Sequence, residues 1–287
     1  MSRLTYEEKI AALQPLTLMD DFYMRLFFKN NIPCVEFVLR IILCKKDLAV
    51  KSVEVQYVLK GQDNSRYVRL DVYAVDSENR HYDIEIQNDS SGASPYRARY
   101  NSAAIDMNIL ETGEPYSLLK ERESIVIFIT ANDVLGYGEP VYFIDRVILS
   151  NGKPFNDGSH IVYVDSSKQN TDTDLGKLMH DFRCSRVEDM LCPVLAKSAA
   201  EVKGTKKGDE EMGVLDEMEL EAEARGEARG EAIGEARGKV IGQAIGETIA
   251  RENIAYNLIH AGKIALAEIA EMCGMTLQRV EELAAGI

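Results

Sequence analysis

Asp71, Glu85 and Gln87 are the residues whose types and spacing can do chemistry. They sit on two alternating stretches, 67–75 and 81–87, separated by the turn-forming run Asp76-Ser77-Glu78-Asn79-Arg80. Alternate residues of a strand share a face. Val68, Leu70, Val72 and Ala74 are therefore expected on one face, with Arg69, Asp71 and Tyr73 on the other. Likewise Tyr82, Ile84 and Ile86 oppose His81, Asp83, Glu85 and Gln87. A turn centred on Glu78 sets Asp71 opposite Glu85, Arg69 opposite Gln87 and Tyr73 opposite Asp83. Two carboxylates would then stand with Cβ atoms about 5 Å apart, an arrangement that destabilises a sheet unless something compensates. A hard divalent cation such as Mg²⁺ can do so, because it accepts one or two carboxylates together with water and phosphate oxygens. Held there, it would suit phosphodiester hydrolysis. Gln87 could position the water or the phosphate but cannot act as a base. The other compensation is an ion-pair cluster in which Arg69, Arg97 or Arg99 neutralises the carboxylates. The pattern of residues leaves both open.

The elements that must position this hairpin are readable from periodicity. Residues 4–48 read as helical, with Leu18, Phe22 and Leu26, then Val35, Val38, Leu39 and Ile42, at helical spacing and Pro33 between the two segments. Residues 52–59 alternate as a strand. Ser94 as N-cap and Pro95 at the first helical position open a helix to about Leu110, with Tyr96, Tyr100, Ala103, Met107 and Leu110 as its expected apolar face. Ser124–Thr130 is nearly all apolar, as in a strand buried on both faces. Further strands are expected over 141–148 and 160–164, and helices over 173–183 and 186–199. This order predicts an α/β domain over residues 1–200.

The remainder differs in kind. Residues 201–247 form an acidic linker or stalk with glycines at 226, 230, 234, 238, 242 and 246. Each glycine costs a helix about 1 kcal/mol, so this segment is either a solvated linker helix or a stalk whose glycine line admits a second helix closely. Residues 248–287 read as three short helices with glycine turns, a helix-turn-helix-like module. Its last helix offers only Arg279 against Glu281 and Glu282, which favours packing or homo-oligomerisation over base reading.

Composition narrows the function classes. The 287 residues carry a net charge of −14, and 201–287 alone hold 18 acidic against 10 basic residues. So acidic a chain needs a local basic cluster or metal ions to approach nucleic acid. Five cysteines without a CxxC spacing argue against a zinc site and against a disulfide framework. No apolar run is long enough to span a membrane, and the first residues lack a signal-peptide layout, so a cytoplasmic protein is expected.

Arg69-Leu-Asp71-Val-Tyr73 followed by Ile84-Glu85-Ile-Gln87 resembles the core motif of the PD-(D/E)XK nuclease superfamily. The segments Leu16–Phe22, Arg97–Tyr100, Ile127–Gly136 and Leu175–Phe182, in that order, are similar to one of its branches. That branch is the PD-(D/E)XK nuclease family transposases, also called the Rpn family of recombination-promoting nucleases. The resemblance covers roughly residues 15–220. It implies a restriction-endonuclease-like fold, a central mixed sheet flanked by helices, and Mg²⁺-dependent DNA cleavage with Mn²⁺ as a substitute. It implies Asp71 and Glu85 as metal ligands, the Ile86 backbone carbonyl as a third, and Asp20 or Asp21 as a further acidic residue. Arg97 and Arg99, with Arg69, would contact DNA. Gln87 stands where the wider superfamily has lysine, which leaves open a catalytically weak or inactive protein that binds metal and DNA and oligomerises through its tail.

Overall fold

A computed structural model describes residues 6–59, 68–88, 90–204, 246 and 248–286. The chain divides into two units, Met1–Gly213 and Val214–Ile287.

The first unit is built on a six-stranded mixed sheet of order β1-β2-β3-β4-β8-β5. Its strands are β1 (Val50–Leu59), β2 (Val68–Asp76), β3 (His81–Gln87), β4 (Ser124–Thr130), β5 (Val141–Ile144) and β8 (Ser159–Asp165). A two-stranded hairpin, β6 (Val147–Ile148) with β7 (Lys153–Pro154), interrupts the connection from β5 to β8. β1, β2 and β3 run antiparallel, while β3, β4 and β8 run parallel. β4 lies between two parallel neighbours and is buried at every residue, as its uninterrupted apolar run requires.

One face of the sheet carries α1 (Tyr6–Leu13), α2 (Asp21–Phe28), α3 (Ile32–Ile42), α5 (Asp174–Arg183) and α6 (Pro193–Lys203), which enclose the larger core. The other face carries α4 (Pro95–Ile109), the crossover from β3 to β4. Local chemistry sets these boundaries. Ser94 caps α4 by accepting the Arg97 N–H, and Asn31 and Thr173 cap α3 and α5 in the same way. The helix expected over 186–199 is instead a 3₁₀ turn at Val187–Asp189 followed by α6. Pro193 lacks an N–H and occupies a first-turn position, which opens a helix and cannot sit inside one. The strand expected over 141–148 is split into β5 and β6. All five cysteines are free.

The second unit contains a helix over residues 248–261 (α7), α8 (Leu266–Cys273) and α9 (Leu277–Ala285), around a small core of Ala255, Ile269, Ala270, Cys273 and Val280. Gly262 and Gly274 take positive φ at the two turns, and Gly274 is the left-handed cap of α8. Residues 205–245, with most of the glycine-periodic segment, lie outside the described residues. Among the described residues no helix is long and apolar enough to cross a membrane.

Candidate active site

The site begins at a distorted rung between β1 and β2. Gln56, in the middle of β1, has φ of +54°, a left-handed conformation that costs a residue with a side chain. Val55 pairs with Val72 and Tyr57 with Leu70, but the rung between them, Gln56 with Asp71, is open. Both strands turn over there. Val55 and Val72 pack into the core beneath α1–α3, whereas Tyr57 and Leu70 pack against α4. The single alternation expected over 68–74 therefore breaks at Asp71, with Leu70 and Val72 in opposite cores.

Released from the ladder, Asp71 turns its carboxylate toward β3. Oδ2 accepts the Ile86 N–H at 3.1 Å, and Oδ1 lies 3.5 Å from the Gln56 amide nitrogen that donates to it. The β2–β3 register is the expected one, with Tyr73 opposite Asp83, and its last backbone rung is Val72–Ile84. Asp71 and Glu85 come next in that register and meet through their side chains, which share a hydrogen bond. Arg69 lies beyond this rung, opposite Val58 of β1, with its side chain exposed.

Asp83 and Glu85 are fully buried on the α4 side. The Asn101 amide nitrogen donates to both, at 3.0 Å to Asp83 Oδ2 and 3.1 Å to Glu85 Oε1. Arg97, one turn earlier on α4, pairs through Nη2 with Glu85 Oε2 and donates through Nη1 to the Gly92 carbonyl at 3.0 Å. The Gln87 amide nitrogen donates to the same Glu85 oxygen at 3.3 Å. Of the three arginines left open by the sequence, Arg97 is thus the one on the carboxylates, and Arg99 is exposed.

This inward face of α4 reverses the sequence expectation. Tyr96, Tyr100, Ala103 and Met107 point to solvent, while Ala98, Asn101, Ser102, Ile105 and Ile109 are buried. A buried carboxyl without a donor is costly. Asn101 answers Asp83 and Glu85, and Ser102 meets Ser159 at 2.7 Å, so the polar stripe takes the inner position.

One guanidinium faces three carboxyl groups, and their proton affinities rise accordingly. Burial pushes Glu85 up to about 10, with further repulsion from Asp83 and Asp71 that Arg97 does not cancel. Burial and the Asp71 charge push Asp83 up to about 8 against the Asn101 hydrogen bond. Asp71 is raised by burial and by the charge of Asp21, against the Ile86 N–H and Arg97. Two buried oxygens of this site, Asp83 Oδ1 and Gln56 Oε1, have no hydrogen-bond partner among the described residues. An excess of buried carboxyl groups that can exchange their protons for a cation, with spare oxygen acceptors beside them, is a donor set that fits a hard cation. Among the described residues no three His, Cys, Asp or Glu side chains stand in metal-holding geometry, so such an ion would rest on two carboxylates with backbone or amide oxygen and water.

The structure also separates Asp20 from Asp21. Asp20 closes the turn before α2, its Oδ2 accepting the Thr17 N–H at 2.8 Å and hydroxyl at 3.0 Å. Asp21 is the one whose charge reaches Asp71. The Asn88 amide donates to the Met19 carbonyl at 2.8 Å and ties the end of β3 to this turn. Sequence reasoning passed over Asp83, Asn101, Gln56 and Gly92. Asp83 shares the Glu85 face by simple alternation, and Asn101 follows Arg97 at helical spacing. In α9, Arg279 is held by Glu252 at 2.8 Å and by Glu282 at 2.9 Å. Comparison of the chain with protein-family models, curated proteins and solved structures finds no match.

Proposed function

We propose that the chain is a Mg²⁺-dependent endodeoxyribonuclease of the recombination-promoting type, with Mn²⁺ as a substitute ion, and that its mixed sheet is a PD-(D/E)XK core. The family segments in the sequence motivate this assignment. The observation that carries it is the excess of three carboxyls over one guanidinium at the open Gln56–Asp71 rung. Asp71 and Glu85 would hold the ion, with the Ile86 carbonyl as a third donor and Asp21 as the nearby acidic residue. When bound, the ion supplies charge neutralisation on a phosphodiester and lowers the pKa of water.

The remaining work falls to the chain. Asn101 fixes Glu85 Oε1 and frees the carboxylate from rotating. Gln87, whose amide cannot act as a base, orients water or phosphate by hydrogen bonding. Arg97 supplies positive charge at the carboxylates, and Arg97, Arg99 and Arg69 would meet the DNA backbone. Plasmid nicking with Mg²⁺ or Mn²⁺ tests the proposal. The expected result is nicking that chelation abolishes and that Asp71→Ala lowers by at least about a hundredfold. Equal nicking by wild type and Asp71→Ala would overturn it. One observation favours a second reading, a nuclease-fold protein that binds metal and DNA without turnover: Arg97 already pairs with Glu85, and Gln87 replaces a lysine. Calorimetric Mn²⁺ binding without nicking under any divalent ion supports that alternative.

A further inference from the structure

The six-stranded sheet ends on β5, which pairs with β8 on one side and, among the described residues, with no strand on the other. Natural edge strands are commonly blunted by charge, proline or a covering element. β5 is short, but its Val-Tyr-Phe-Ile contains neither charge nor proline. The chain then runs into the β6–β7 hairpin, where Val147, Ile148 and Phe155 are exposed and Leu149 at the tip is 94% exposed. Phe143 and Ile144 of β5 are exposed as well. Exposed apolar residues are ordinary when scattered, but here six of them fall between residues 143 and 155 of one segment.

Two features identify the occupant. A strand edge is complementary to its own copy about a two-fold axis, because the two edges then pair antiparallel. Charge points the same way. A chain of net −14 repels its copies over most of its surface. Residues 141–158 are an exception: Asp145, Arg146, Lys153 and Asp157 leave the segment neutral. Arg146 pairs with Asp157, and Asp145 pairs with His160.

We propose that β5 and the β6–β7 hairpin form the interface of a homodimer, in which the two β5 strands pair antiparallel and each hairpin packs against the other copy. This interface belongs to the first unit and is independent of the C-terminal helices. It does not depend on the nuclease proposal.

Sedimentation of the full chain over about a hundredfold range of concentration tests it. The expected result is a reversible dimer whose dissociation constant rises at least about tenfold in Leu149→Glu and in Phe143→Lys. Both positions are exposed, so circular dichroism should remain unchanged. Amide hydrogen exchange over 141–144 should slow with concentration in the wild type and not in the variants. A chain that stays monomeric throughout overturns the proposal. So does a dimer whose affinity ignores both substitutions and whose β5 amides exchange equally fast at every concentration.

Discussion

Gly92 holds two members of the site at once, and only because it lacks a side chain. Its carbonyl accepts the Arg97 guanidinium, and a Cβ on it would fall 2.1 Å from the Gln87 side-chain oxygen. Gln87 in turn donates to Glu85 at 3.3 Å. A methyl group at 92 therefore displaces the Gln87 amide, while leaving the buried Asp83–Asn101–Glu85 contacts in place. Under the proposed function, Gly92→Ala should slow plasmid nicking by about 10- to 100-fold, the usual cost of moving a positioning group by about an ångström. Its denaturation midpoint should change little, because the displaced group is the far end of a flexible side chain. Unchanged nicking would show that the present pose of Gln87 is not the one used in cleavage.

At the scale of elements, what was legible was what depends on local periodicity. The three strands of the hairpin region, the β2–β3 register, the Ser94-Pro95 helix start and the buried run 124–130 all follow from neighbouring residues. Two features did not. The inward face of α4 is decided by carboxyl groups on β3 that demand a donor, so the helix turns Asn101 inward and leaves its tyrosines outside. The reversal of faces at the Gln56–Asp71 rung depends on a left-handed residue with no glycine to announce it. That rung reverses the usual strand preference. Valine is favoured and glycine depleted in ordinary strands, yet a left-handed φ costs a residue with a Cβ about 1–2 kcal/mol and a β-branched one more. Gln56→Gly should thus hold stability within about 1 kcal/mol, the relieved strain offsetting the added chain entropy. Gln56→Val should be less stable than Gln56→Gly by at least about 1 kcal/mol in urea unfolding. The opposite order would mean that the rung stores no backbone strain.

At the scale of the whole molecule, the buried carboxyls couple folding to both protons and metal. In the unfolded chain Asp and Glu ionise near pH 4. In the fold, burial holds Asp83 to about 8 and Glu85 to about 10, and Asp71 is also raised. Below about pH 4 both states are protonated and the contribution of these groups is fully present. Above it the folded state keeps protons that the unfolded state has lost, so metal-free stability falls as pH rises toward about 8, by up to about 1.4 kcal/mol per pH unit for each such group. Asp76 acts in the opposite sense: Arg80 and Tyr82 outweigh its burial and lower its pKa, so its contribution is lost on acidification. A divalent cation that takes the place of the protons binds the folded state more tightly as they leave. Stabilisation by Mg²⁺ should therefore grow from about pH 5 to about pH 8. Thermal melts with and without Mg²⁺ across that window check both statements. Asp83→Asn, which removes one titrating group and keeps the side chain's shape, should melt higher than the wild type near pH 8 and show a shallower metal-free pH slope. A wild-type profile as shallow as that of Asp83→Asn would mean that the folded chain already neutralises the cluster without protons. A Mg²⁺ effect that does not grow with pH would separate metal binding from these three carboxyls.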